Sequence, residues 1–168
     1  HDMVTDPIPG KRLIGYLPES APSYGEMTVV SFLRFVAELR GLRGDAKRRE
    51  LRRVVDLCAL ESVLGQTIDT LSKGFRHRTS FAQALIHDPD VLILDEPTRG
   101  VDVAAKAEIH GIIRRLADDG CAVLLISSEM NEILAHADRI GVFREGQLVE
   151  TLLGDDATAV DVAQRALP

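Results

Sequence analysis

Residues 71–98 read LSKGFRHRTSFAQALIHDPDVLILDEPT: a small polar turn, a run of helix formers, a proline, and then an apolar stretch closed by two acids. Ser72 can cap the helix that follows, and Gly74 lets the backbone come close to a ligand, leaving unpaired N–H groups at the positive end of the helix dipole. Such a helix start accepts phosphate. Taken alone the motif is weak, because Ser-x-Gly before a helix is commonly nothing more than a cap. The run VLILDEP carries more. Its apolar residues read as a strand buried on both faces, and a carboxylate at the carboxyl end of such a strand stands where open α/β sheets bind ligands. Asp95 can there hold Mg²⁺ through water, leaving Glu96 to take a proton from an attacking water. The plainer alternative is two acids beginning a loop.

Working outward, residues 122–126 form a second apolar run, and Ile109, Ile112, Ile113 and Leu116 between them place one apolar stripe on a helix of about fifteen residues. Strand, helix, strand in that order implies a parallel pair joined by a right-handed crossover. Upstream, residues 13–17 read as a short strand stopped by Pro18. Val29, Phe32, Leu33, Val36 and Leu39 then recur at helical spacing behind Thr28 as N-cap, with Gly41 to Gly44 closing the helix. Leu51, Val54, Val55, Cys58 and Leu60 repeat the pattern in a second helix. Downstream come a short helix near 129–135, strands at 139–144 and 147–151 about a Glu145-Gly146 hairpin turn, and a final helix within 156–167. The expected organisation is a strand and loop over 1–24, a helical subdomain over 25–88, and an α/β core half over 89–168.

The bulk composition, 45% hydrophobic and 27% charged over 168 residues, is that of a globular domain with a core. No window approaches about 18 consecutive apolar residues, so no membrane-spanning helix or export leader is expected, and a cytosolic chain is the default reading. A net charge of −6 argues against a general nucleic-acid binder. The local cluster Lys47, Arg48, Arg49, Arg52 and Arg53 reads as a solvated helix face. Cys58 and Cys121 lack a CxxC partner and read as buried thiols, and the five histidines show no metal-ligand spacing.

Taken together, the motifs resemble the nucleotide-binding domain of ATP-binding cassette (ABC) transporters. The family's signature LSGGQ is met as Leu71, Ser72, Lys73, Gly74 and Phe75, followed by Arg76 and Arg78, and its Walker B motif as Val91 to Asp95 with Glu96 in the catalytic position. Gly100-Val101-Asp102 resembles the D-loop, IGYLPE the Q-loop with Glu19 in the glutamine position, LLISSEMNEIL the switch region, and DRIGVFREGQLV the hairpin after it. The resemblance implies a P-loop NTPase core with a parallel sheet and a helical signature subdomain. It implies ATP and Mg²⁺ as ligands, with Asp95 and Glu19 toward the metal, Ser72, Lys73, Gly74, Glu19 and Asp102 toward the nucleotide, and Glu96 and Ser128 in catalysis. It also implies a second nucleotide-binding domain and transmembrane subunits as partners, a place at the inner face of the membrane, and no nucleic acid.

Several positions depart from the family. Ser128 replaces the switch histidine; serine donates one hydrogen bond but carries no positive charge, which weakens catalysis at that half. Glu19 puts an acceptor-only carboxylate near the metal, Lys73 adds charge toward a phosphate, and Phe75 cannot supply glutamine's polar contacts. Up to Asp95 the chain resembles the ATPases of multidrug or gliding-type exporters; from Thr98 onward it resembles the second cassette of sugar importers.

A P-loop, G-x-x-x-x-G-K-[ST], should precede these motifs, and the sequence holds none. Gly10-Lys11-Arg12 comes nearest, but Thr5 stands where the first glycine should be, Arg12 replaces the hydroxyl, and no strand runs into it. The resemblance implies a cassette beginning just after its first β-rich segment, with His1-Asp2-Met3 matching that point. Such a chain is expected to lend its signature to a complete partner, to hydrolyse little ATP alone, and to self-associate through uncovered apolar surface. The competing reading is a catalytically silent cassette remnant serving as a dimerisation or assembly module; an ABC protein of DNA repair or translation fits the transporter-like passages less well. The stretch 19–24 is where the family meets its membrane subunits.

Overall fold

Apolar residues three and four apart, with a capping hydroxyl ahead of them, decide where the helical layer starts. In the computed structural model, which describes residues 4–19 and 24–166, α1 (Pro7–Arg12) precedes β1 (Ile14–Leu17), then α2 (Val29–Leu39), α3 (Gly44–Leu57) and α4 (Lys73–Leu85) follow. Residues 1–3, 167–168 and most of the expected membrane-facing stretch, 20–23, lie outside the described residues. Thr28 caps α2 as expected, its hydroxyl oxygen accepting the Ser31 N–H at 3.3 Å. Val29, Phe32, Leu33 and Val36 are buried, and Leu39 is exposed. The helix stops at a left-handed Gly41.

The second helix differs from its expected extent at both ends. Gly44 opens α3 and does not merely close α2. Beyond Leu57, Ala59 takes a left-handed φ of 50°, so Cys58 and Leu60 are fully buried without belonging to the helix. Burial pushes the Cys58 thiol up to about 12 against the opposing charge of Arg53, so it stays protonated. Four of the five residues of the basic cluster are paired. Lys47 reaches Glu38 at 2.8 Å, Arg48 pairs with Asp45, and Arg49 and Arg53 grip the buried Glu50 at 2.9 and 2.7 Å. Arg53 also donates to the Leu85 carbonyl at 2.7 Å, tying α3 to the end of α4.

The chain forms two compact units, residues 1–124 and 125–168. In the first, β1 pairs in parallel with β2 (Val91–Asp95), Leu17 facing Leu94; β3 (Ala122–Ile126), which runs across the boundary after Leu124, is the third strand of a sheet ordered β1-β2-β3. Gly15 is required in β1 because a Cβ there would meet the Ala84 carbonyl oxygen at 2.5 Å and Pro89 Cγ at 2.9 Å. α4 packs against β1, α2 and α3, and the helix between β2 and β3 is α5 (Val103–Asp118). One expectation fails here: neither β2 nor β3 is buried on both faces, Leu92 and Leu94 being sealed while Val91 and Ile93 are half-buried. The residues of β3, an edge strand of this sheet, alternate between exposed and half-buried, and Leu124 at 54% and Ile126 at 48% exposure share the uncovered face. Continuous apolarity in a sequence does not report which face is covered.

The second unit contains α6 (Met130–His136), β4 (Arg139–Arg144), β5 (Gln147–Leu153) and α7 (Ala159–Ala166). β4 and β5 pair antiparallel about Glu145 and Gly146, whose φ values of 51° and 78° make the hairpin turn that this dipeptide suits. Its small core is Ile140, Val142 and Val162. Among the described residues no helix is long and apolar enough to cross a membrane.

His87, between α4 and β2, makes stability pH-dependent. Its Nε2–H donates to the Ile14 carbonyl at 3.1 Å, which fixes that tautomer because a carbonyl only accepts. Burial, aided by Arg40, lowers its pKa from 6.5 to about 4. In the unfolded chain His87 takes up a proton below pH 6.5, whereas the folded chain resists until about 4, so stability is full above 6.5 and falls as pH drops through that window. Urea midpoints at pH 7.5 and 5 should differ, and His87→Gln should flatten the difference; an unchanged pH slope in the variant would place the dependence elsewhere.

Candidate functional site

Ser72 ends an extended segment and opens α4, its oxygen accepting the Phe75 N–H at 3.3 Å. The other first-turn N–H groups have no intrahelical acceptor, and Ser72 and Lys73 are exposed, so this helix start is open to a ligand. Gly74 lies beside α5, where a Cβ on it would meet the Ala105 Cβ at 3.5 Å. The Lys73 ammonium rests on Gly100, occupying the place a Cβ would take there, and Gly100 has a φ of 66°. The signature turn and the D-loop are therefore neighbours within one unit. Asp102 is the N-cap of α5, accepting the Ala105 N–H at 2.9 Å. Phe75, in the family's glutamine position, lies under the Arg78 guanidinium at 5.3 Å, and Arg78 pairs with Glu108 on α5.

Asp95 closes β2 and is half-buried, not sealed in the interior. Glu96 follows with a φ of 51°, the left-handed region. Its carbonyl accepts the Arg99 N–H at 3.2 Å, and Thr98 accepts the Val101 N–H at 3.1 Å, so the acids are presented from a tight strand-to-helix turn. A non-glycine residue there stores about 1–2 kcal/mol, and Pro97 after it further disfavours a helical backbone. This strain was not legible in the letters LDEP. Glu96→Gly is expected to raise stability by about 0.5–1 kcal/mol, the relieved strain less the freedom glycine adds to the unfolded chain. A fall in urea midpoint would mean that the side chain's contacts outweigh the strain.

Glu19 emerges just beyond β1, adjacent to the strand that carries Asp95, and its carboxylate pairs with Arg99. Together with Lys73, Arg76, His77 and Ser80 it lines a cavity of about 320 Å³. Among the described residues no three His, Cys, Asp or Glu side chains converge as a metal cage. Asp95 and Glu19, at the carboxyl ends of neighbouring strands, fit a Mg²⁺ ion held by one or two carboxylates and otherwise by water and phosphate. Glu19 would have to leave Arg99 to serve.

Ser128 is exposed and lies in the second unit, after β3. The loop that carries it is fixed by groups the sequence reading passed over: Ser127 donates to the buried Glu132 and accepts the Glu129 N–H at 3.0 Å.

The family described as ABC transporter matches residues 6–99, more than half of the chain. This chain belongs to the ABC transporter family. Over 91% of its length it is 40% identical to the Ribose import ATP-binding protein RbsA 2 of Burkholderia cenocepacia (strain HI2424), of which it covers 32%. Over 89% of its length it is 35% identical to the "Probable multidrug ABC transporter ATP-binding protein YbhF" of Escherichia coli (strain K12), of which it covers 26%. The chain thus spans about a third or less of these curated relatives. Its fold matches a solved ATP-binding subunit of an ABC transporter with a TM-score of 0.80 at 24% identity, covering 93% of this chain and 65% of that one.

Proposed function

We propose that this ABC-family chain is the signature- and Walker-B-bearing part of an ATP-binding subunit that powers transport across a membrane. The observation that supports it most is the open start of α4, with Ser72 as cap and Lys73 exposed beside the turn that presents Asp95 and Glu96. In this reading the amides after Ser72 and the Lys73 ammonium receive the charge of a terminal phosphoryl group held by a partner domain. Asp95, with Glu19, would hold Mg²⁺, and Glu96 takes the proton of an attacking water. A bound Mg²⁺ ion would supply charge neutralisation on the phosphates. Asp102 fixes the start of α5 and thereby the turn opposite the signature, and Ser128 offers a neutral hydrogen bond where the family has histidine. The partners are a second nucleotide-binding domain and transmembrane subunits, at the inner face of the membrane.

The sequence contains no G-x-x-x-x-G-K-[ST] run, so the phosphate-cradling loop must come from outside these 168 residues. That fact, with the exposed Leu124 and Ile126, also favours a second reading as an assembly module that pairs without turnover. Titration with a fluorescent ATP analogue and Mg²⁺, alone and with a P-loop-bearing ABC domain, separates the two. Nucleotide-dependent pairing with turnover supports the motor; pairing indifferent to nucleotide supports the module.

A further inference from the structure

The start of α4 and the start of α5 touch at three successive levels. The Lys73 ammonium lies against Gly100, and Gly74 lies beside Ala105, the residue whose N–H donates to the Asp102 carboxylate at 2.9 Å. Further along α4, Phe75 and Arg78 stand three residues apart on one face, with the Arg78 guanidinium 5.3 Å from the ring centre and paired with Glu108 of α5. The Arg78 side chain is only 16% exposed, so this third contact is the most desolvated of the three cation contacts' charged groups on α4 that reach α5. Its Nε–H is buried and has no acceptor among the described residues. A guanidinium buried with one donor unused is costly, so the ring and the carboxylate together must hold it there. Phe75 thereby supplies what a glutamine amide cannot, a flat apolar face for the cation.

We infer that Arg78 is a positioning residue for the turn after Ser72: held between Phe75 and Glu108, it clamps the start of α4 to the start of α5, so that the amides after Ser72 and the turn capped by Asp102 move as one body. All the groups involved lie in the first unit of one chain. The consequence for phosphate capture rests on the reading above, whereas the clamp itself needs no nucleotide. A ligand that displaces the start of α4 then displaces the Gly100–Asp102 turn through contacts already in place. Removing the charge of Glu108 on α5 must therefore loosen amides on α4, which a role confined to α5 would not do.

The test is NMR and amide hydrogen exchange on the isotope-labelled full chain without nucleotide. The Phe75 ring current should displace the Arg78 Nε–H signal; Phe75→Tyr should keep that displacement and Phe75→Leu abolish it. Exchange is read at the Phe75 and Arg76 amides, which donate to Ser72 Oγ and to the Ser72 carbonyl. Glu108→Gln should speed it about two- to fivefold, as for loss of a half-exposed ion pair. Phe75→Leu should speed exchange at Arg76 about five- to thirtyfold, as for loss of a desolvated cation–π contact, with Arg78→Lys in between. Arg114→Gln, which removes an exposed cation on α5 paired with Asp118, should change nothing at these amides. With a P-loop-bearing ABC domain, Glu108→Gln should weaken nucleotide-dependent association by a factor similar to its effect on exchange. An Arg78 signal indifferent to Phe75→Leu, or amides indifferent to Glu108→Gln with the fold intact by circular dichroism, would overturn the clamp. Unchanged association in a variant whose amides have loosened would overturn the positioning role. A parent chain without nucleotide-dependent association contradicts the proposed function instead, and the clamp is then decided by exchange alone.

Discussion

Glu96→Gln is expected to slow ATP hydrolysis by about 100- to 10,000-fold while leaving nucleotide-dependent association intact, measured as phosphate release in the assembly where this chain meets a P-loop. The magnitude is that of a positioned general base. Glutamine keeps the size and hydrogen bonding of the side chain but cannot accept a proton, so the loss falls on the chemical step and not on binding. The backbone argument sharpens the expectation. Glu96 holds a left-handed φ of 51° just after β2, and a strained, non-glycine conformation persists only where the surroundings impose it. Glu96→Gly should therefore gain stability while losing the same activity. A Glu96→Gln variant with an unchanged rate would remove Glu96 from the catalytic step.

Phe81→Ala should destabilise the first unit by about 3–5 kcal/mol, the cost of deleting a buried aromatic ring and leaving a cavity. Phe81 is fully buried on α4, the helix that packs against β1 on one side and against α2 and α3 on the other. Its loss therefore loosens both the helical layer and the sheet that carries Asp95. Set against a typical domain stability of about 5–15 kcal/mol, this is a large fraction. Thermal or urea unfolding monitored by circular dichroism checks it. Phe81→Leu should cost markedly less, and a Phe81→Ala midpoint close to that of the parent would mean α4 is not the hub it is taken to be.

Local chemistry explains which parts could be read from the letters. Thr28 and Ser72 announce helix starts because a hydroxyl satisfies an orphan N–H, and both cap as expected. Glu145-Gly146 announces a hairpin because its backbone tolerates positive φ, and the turn forms there. What could not be read depends on long-range packing or on backbone angles. Leu60 keeps helical spacing yet lies past a left-handed Ala59, and the apolar β3 is an exposed edge. The salt bridge between Glu19 and Arg99 joins residues 80 apart, and the strain at Glu96 leaves no trace in composition. His77 lines a cavity together with Glu19, a juxtaposition of residues 58 positions apart that only folding creates.

The measurement that bears most directly on the central claim is amide hydrogen exchange across residues 72–76, with and without Mg²⁺ and a non-hydrolysable ATP analogue, in the presence of a P-loop-bearing ABC domain. If the start of α4 closes over a triphosphate, exchange at Lys73, Gly74 and Phe75 slows markedly when nucleotide and partner are both present. Exchange unchanged at these amides, with nucleotide demonstrably bound to the partner, would contradict the account.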